Sequence, residues 1–138
     1  MSEQNKAVVL ELFHLFDQGR FDEGRALLHK DFTEQGTTAT IAEFIDRRRA
    51  FYASFPDGRH LFEDVVAEGD LVATTGSLAG THRGAFMGIP ATGKRVSMRV
   101  WHLHRVKDGK IIEHRAVAEM LALLRQLGVE IPPSGPAR

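Results

Sequence analysis

The sequence predicts an α+β domain in which helices pack on one face of a curved antiparallel sheet. Three observations carry this expectation. From the N-terminus to Phe55, apolar side chains recur at helical spacing. From Leu61 to Ala118 they fall in β-rich runs separated by turn dipeptides. Apart from one short strand among the helices, helices come first and antiparallel strands afterwards, which implies an α+β layer arrangement.

The elements follow in order. Val9, Leu12, Phe13 and Phe16 stand at i, i+3, i+4 and i+7, a single stripe of an amphipathic helix. Gly19 lies just beyond, where a left-handed residue closes a helix at little cost. A short second helix carries Phe21, Leu27 and Leu28, and residues 31–35 read as a short strand. Thr40 and Glu43 have capping-box spacing, each able to satisfy a free N–H of a first helical turn. The helix they open presents Ile41, Phe44, Ile45, Phe51, Tyr52 and Phe55, and Pro56-Asp57-Gly58 stops it. Strands at 61–68 and 71–81 flank the turn dipeptide Gly69-Asp70. A loop from Arg83 to Lys94 leads to strands at 95–106 and 111–118, joined by Lys107-Asp108-Gly109-Lys110, the clearest hairpin signal in the chain. A last helix spans 120–127, ended by Gly128 and then Pro132 and Pro133. The chain therefore reads as one domain over residues 1–130, with a disordered tail at 131–138.

Composition narrows the function classes. At 138 residues and 43% hydrophobic content, one packed core needs neither disulfide nor structural metal. Formal net charge is zero, so the chain as a whole offers a nucleic-acid backbone no attraction. The densest basic cluster, Arg47-Arg48-Arg49, follows Asp46 and reads as the solvated face of a helix. Absence of cysteine excludes disulfides, thiolate zinc sites and a cysteine nucleophile, and fits a cytoplasmic location. The N-terminal segment has no signal-peptide pattern, and no apolar run approaches the ~18 residues of a membrane span.

Two blocks carry a resemblance. The first is Gly80-Thr81-His82-Arg83-Gly84-Ala85-Phe86-Met87-Gly88-Ile89-Pro90-Ala91-Thr92-Gly93-Lys94. The second comprises Arg105-Val106, Asp108-Gly109-Lys110-Ile111, Glu113-His114 and Leu124-Arg125-Gln126-Leu127-Gly128. Together, at this spacing, the chain resembles the SnoaL-like polyketide cyclases from about Gln4 to Gly128. The resemblance implies the nuclear transport factor 2-like fold, a cone of bent sheet closed by helices around an apolar pocket. It also implies a homodimer through the outer sheet face, where Trp101 has the matching parity. The activity it implies is ring closure of a small hydrophobic, polyketide-like substrate without metal or cofactor.

The inner wall depends on the hairpin register. A two-residue type I′ turn at Asp108-Gly109 pairs Lys107 with Lys110 and sets His102 opposite Arg115. A type I turn with Gly109 as a G1 bulge pairs Val106 with Lys110. Val100, His102 and His104 then share a face with Ile112, His114 and Ala116. The second register is preferred, because the resemblance implies a catalytic carboxylate and a histidine on one inner face.

Carried over residue by residue, the family's acid/base aspartate falls at Ala116 and its partner glutamine at Val100. His102 matches the pocket histidine and Phe16 a pocket-lining aromatic. Glu34 falls where related cyclases often carry asparagine, and desolvation in an apolar pocket would raise a carboxyl toward useful acid/base values. The expectation is that proton transfer has passed to Glu34 and His102. Substrate contacts are expected from Phe16, Phe51, Tyr52, Phe86, Val100, His104, His114 and Ala116. The alternative to acid/base work is an entropy trap that folds a reactive chain into its ring-closing shape. His102, His104 and His114 also suggest a three-imidazole zinc site, which the resemblance speaks against. His82 is expected to support its loop, and Gly76 to enlarge the pocket. The competing functions are a non-catalytic binder of small hydrophobes and a relative with other chemistry, such as epoxide opening or hydroxylation.

Overall fold

The computed structural model describes residues 2–35 and 39–130; the tail expected at 131–138 lies outside the described residues. The elements run α1 (Ser2–Asp17), α2 (Phe21–Arg25), β1 (Leu28–Glu34), α3 (Ile41–Ser54), β2 (Arg59–Glu68), β3 (Leu71–Thr81), β4 (Arg95–Lys107), β5 (Lys110–Ala118) and α4 (Met120–Gln126). The stripe read from the sequence buries Val9, Leu12, Phe13 and Phe16 of α1, and Gly19 ends it at φ 75°. The capping box of α3 is formed: Thr40 Oγ1 accepts from the Glu43 N–H, and the Glu43 carboxylate accepts from the Thr40 N–H, both at 3.1 Å.

The five strands form one curved sheet in the order β1-β5-β4-β3-β2. Every pairing is antiparallel except β1 with β5, which is parallel. The expectation of a purely antiparallel sheet is corrected at this edge. The chain covers α3 and three strands between β1 and β5, a connection long enough for a parallel return. The second helix is also shorter than expected. Leu27 lies in the turn before β1, where its carbonyl accepts from the Ile111 N–H, and Leu28 opens the strand.

The hairpin corrects the preferred turn and keeps its consequence. Asp108 and Gly109 both have positive φ, 53° and 74°, and Lys107 pairs with Lys110. This is the type I′ geometry. Continued unbroken, that register would set His102 opposite Arg115. Instead, Val106 pairs with Ile111 and Arg105 with Glu113, leaving Ile112 as a bulge. From there upward His104 faces His114 and His102 faces Ala116. The inner position at the base of the hairpin is therefore Ile111, fully buried, and not Ile112.

Two apolar clusters result. One joins α1, β1 and α3 to the sheet through Val9, Leu12, Phe13, Phe16, Phe44 and Ile111, among others. The other gathers Phe55, Leu78, Met98, Val100 and Leu123 beneath α4. Burying each large side chain contributes about 1.5–3 kcal/mol.

Candidate functional site

Beside the second cluster, α3, the inner face of the sheet and the 83–94 loop enclose a cavity of about 830 Å³. That lies within the ~300–1,000 Å³ range of small-molecule sites. Its wall is largely apolar, built from Phe51, Leu78, Phe86, Met98, Val100 and Ala118. Polar groups reach it from Gln35, Arg47, Arg48, Ser54, His60 and His102. Strand parity supplies the floor: Met98, Val100 and His102 alternate inward along β4, and the Ile112 bulge turns Ala116 to meet His102. Gln35 clamps this spot, its side chain donating to the Ala116 carbonyl at 2.7 Å and accepting from the Ala116 N–H at 3.2 Å.

The loop closes on itself. The His82 N–H donates to the Lys94 carbonyl and the Gly93 N–H to the His82 carbonyl. The His82 Nδ1 accepts from the Thr92 N–H at 3.2 Å, and its ring stacks on Phe55 at 5.4 Å. His82 is thus a support for the loop. Phe86 and Ile89 bridge a tight turn that leaves Met87 exposed at the cavity.

Among the residues expected to form the site, His102, Phe51, Phe86, Val100 and Ala116 line this cavity. Phe16, Tyr52, His104, His114 and Glu34 do not line it. Phe16 is fully buried in the first cluster. The Glu34 carboxylate is held by Arg47 and sits 3.6 Å from Arg48, so the pairing expected between Glu34 and His102 is replaced by two guanidinium contacts. The physical reason is charge: Glu34 pairs in register with His114 on the sheet edge, and α3 lays two cations over it. Gly76 is also corrected. A Cβ there would meet the Leu61 carbonyl oxygen at 2.1 Å, because a bulge between Phe62 and Asp64 presses β2 against β3. The glycine makes room for backbone, not for ligand.

The three inner histidines pack on one another. His104 Nε2 lies 2.9 Å from His114 Nδ1, and the rings of His102 and His104 stack at 5.5 Å. His104 Nδ1 is buried without a partner. Burial, the largest cause, pushes all three imidazoles down, His102 to about 2 and His104 to about 3; Arg48 and His60 nearby act on each in the same direction, and His104 also acts on His102 and His114. They are neutral in the fold. The His104–His114 bond uses nitrogens a zinc ion would need, and no metal-holding group of three such residues exists among the described residues. His102 Nδ1 lies 3.2 Å from Thr74 Oγ1.

One arrangement lies outside every expectation above. Asp17, the last residue of α1, receives three hydrogen bonds: from His60 Nδ1 at 2.9 Å, from the His60 N–H at 2.9 Å, and from the Tyr52 hydroxyl. Burial opposes ionisation of this carboxyl, but the bonds from His60 and Tyr52 outweigh it and hold the pKa below the ordinary value. Burial and the same bond push Tyr52 up, so it stays protonated. The sequence carries one signal for this pair: an aspartate at a helix C-terminus opposes the macrodipole and needs another reason to be there.

A family model described as SnoaL-like polyketide cyclase matches residues 6–127. The chain is 32% identical over 137 residues to the aklanonic acid methyl ester cyclase DnrD of Streptomyces peucetius, covering 93% of this chain and 94% of that protein. It is 33% identical over 119 residues to the nogalonic acid methyl ester cyclase of Streptomyces nogalater, covering 82% and 89%. Among solved structures, AclR of Streptomyces galilaeus, a proposed hydroxylase, superposes with a TM-score of 0.85 at 28% identity, covering 93% of this chain and 98% of that one.

Proposed function

The chain belongs to the SnoaL-like polyketide cyclase family, and from that premise we propose that it closes or modifies a ring in an apolar, polyketide-like substrate without a cofactor. The observation that carries this reading is the cavity: about 830 Å³, mostly apolar, with His102 and Ala116 facing each other across its floor. In this reading Ala116 occupies the position of the family's acid/base aspartate, so the usual carboxylate is absent. The neutral His102 serves by hydrogen bonding to a substrate oxygen, the way an uncharged imidazole stabilises a developing enolate. Glu34 acts indirectly, by fixing Arg47 and Arg48, whose charge favours the same anion. The protein works as a homodimer through its outer sheet face, where Trp101 and Val117 are 59% and 79% exposed.

A second reading has its own support. Alanine at 116 and valine at 100 leave two wall positions without acid/base capacity, as a non-catalytic binding protein would. Incubation with aklanonic acid methyl ester and nogalonic acid methyl ester, followed by chromatography and mass spectrometry, separates the two. A product of unchanged mass and altered retention supports the cyclase. Tight binding with no product supports the binder. Ala116→Asp is expected to raise cyclisation of these esters by about tenfold or more.

A further inference from the structure

We infer that His60, oriented by Asp17, is the acid/base residue of this cavity and moves the proton that Ala116 cannot. This rests on the cyclase reading above and names the group that performs its proton transfer.

The geometry assigns the roles. An ionised carboxylate only accepts hydrogen bonds, so His60 Nδ1, 2.9 Å from Asp17 Oδ1, carries its proton. In the neutral form of the ring the lone pair is then on Nε2. His60 lines the cavity, and its Nε2 makes no hydrogen bond among the described residues. With a side chain only 5% exposed, the ring meets solutes through the cavity it lines. Its plane is fixed by Phe13 at 4.5 Å and Phe62 at 5.9 Å. The second bond to Asp17, from the backbone N–H of His60 itself, and the third, from Tyr52, lock the carboxylate in turn. A base held by an orienting acid is the arrangement general-base catalysis requires.

The neighbouring imidazole has a different task. The ring of His102 lies 6.0 Å from that of His60. In the tautomer whose Nδ1 accepts from Thr74 Oγ1, 3.2 Å away, His102 presents an Nε2–H to a substrate oxygen. His60 then takes a proton from a carbon between two carbonyl groups, giving an enolate whose oxygen His102 bonds. The enolate carbon attacks a ketone carbon of the same chain and a C–C bond forms. The ketone oxygen becomes an alkoxide and takes the proton back from His60. Nothing is oxidised, and the product is an isomer of the substrate.

The test uses 5-nitrobenzisoxazole, a probe independent of the natural substrate. A base removes its C3 proton, the N–O bond breaks, and the electron pair leaves on the phenolate oxygen, giving a coloured product. Wild-type protein is expected to open the probe above the buffer rate, and His60→Gln to fall about 100-fold toward it. Asp17→Asn, altering a positioning residue, lowers kcat by about tenfold or more while KM stays within about twofold, and Asp17→Glu restores part of it. His14→Gln, on the solvent side of α1, changes nothing. Should His60→Gln not fold, acylation of wild-type His60 by diethyl pyrocarbonate, mapped by mass spectrometry, is expected to remove the activity in proportion to the acylated fraction. Full activity after losing His60, or no wild-type rate above buffer, overturns the inference. His60-dependent opening of the probe without turnover of either polyketide ester keeps the base and removes the cyclase reading. Ester cyclisation unaffected by His60→Gln keeps the cyclase and removes the base.

Discussion

At the scale of residues, three neutral imidazoles at 102, 104 and 114 hold a polar seam inside an otherwise apolar sheet face. Each would bind a proton in the unfolded chain near its ordinary pKa of 6.5 but resists one in the fold. The unfolded state therefore binds more protons once the pH drops below about 6.5. Stability is complete above that value and falls as the pH declines toward the folded values of about 2 and about 3. Each residue adds a slope of about 1.4 kcal/mol per pH unit. Urea unfolding is expected to show a steep loss between pH 6.5 and pH 5, made shallower by one proton in His104→Gln. A stability flat to pH 5 contradicts the burial of these groups as neutral species. Part of this scale is legible in the sequence: alternation along β4 points Val100 and His102 inward, and the residue-by-residue match locates Ala116. The partnership of Asp17 with His60 is not, because a hydrogen bond across 43 residues leaves no periodic trace; the sequence marks only the aspartate, by its place at a helix C-terminus. Nor is the Arg47–Glu34 contact, since a run of arginines after Asp46 looks like any solvated helix face.

At the scale of elements, two bulges decide which side chains meet. The extra residue at Ile112 restores the inward parity that the type I′ turn alone would have reversed. A single-residue deletion of Ile112 removes the extra residue together with its bulge, so His114 is expected to stay opposite His104 and Ala116 opposite His102, with cooperative unfolding and the near-ultraviolet circular dichroism spectrum retained; loss of both would contradict this register. Gly76 answers the other bulge. Gly76→Ala brings a Cβ against the Leu61 carbonyl and is expected to cost about 1–3 kcal/mol in chemical denaturation. By contrast, Thr40→Ala removes the side-chain half of the α3 capping box for about 1 kcal/mol. The capping box is legible because both of its bonds join residues three apart. The bulges are not, because turn chemistry specifies the end of a hairpin and tertiary packing specifies where its register shifts.

At the scale of the whole molecule, the apolar clusters support α1 on one side and α4 on the other, and the cavity opens beside the second. The order of helices and strands is enough to predict this layering. The parallel edge pairing of β1 with β5 is not predictable in the same way, because a seven-residue strand carries too little pattern to choose its neighbour. In the proposed homodimer the contact is the outer face that offers Trp101 and Val117 to solvent; if that proposal holds, the wild type sediments as a dimer and replacing both with glutamate shifts it to monomer without changing the melting temperature. Function turns on what occupies the hollow. A crystal structure with a bound aromatic polyketide ester tests it most directly. The predicted result is a ligand inside the cavity, one oxygen within hydrogen-bond distance of His102 and a reactive carbon against His60 Nε2. A ligand seated elsewhere, or one whose reactive carbon lies beyond reach of both imidazoles, would contradict it.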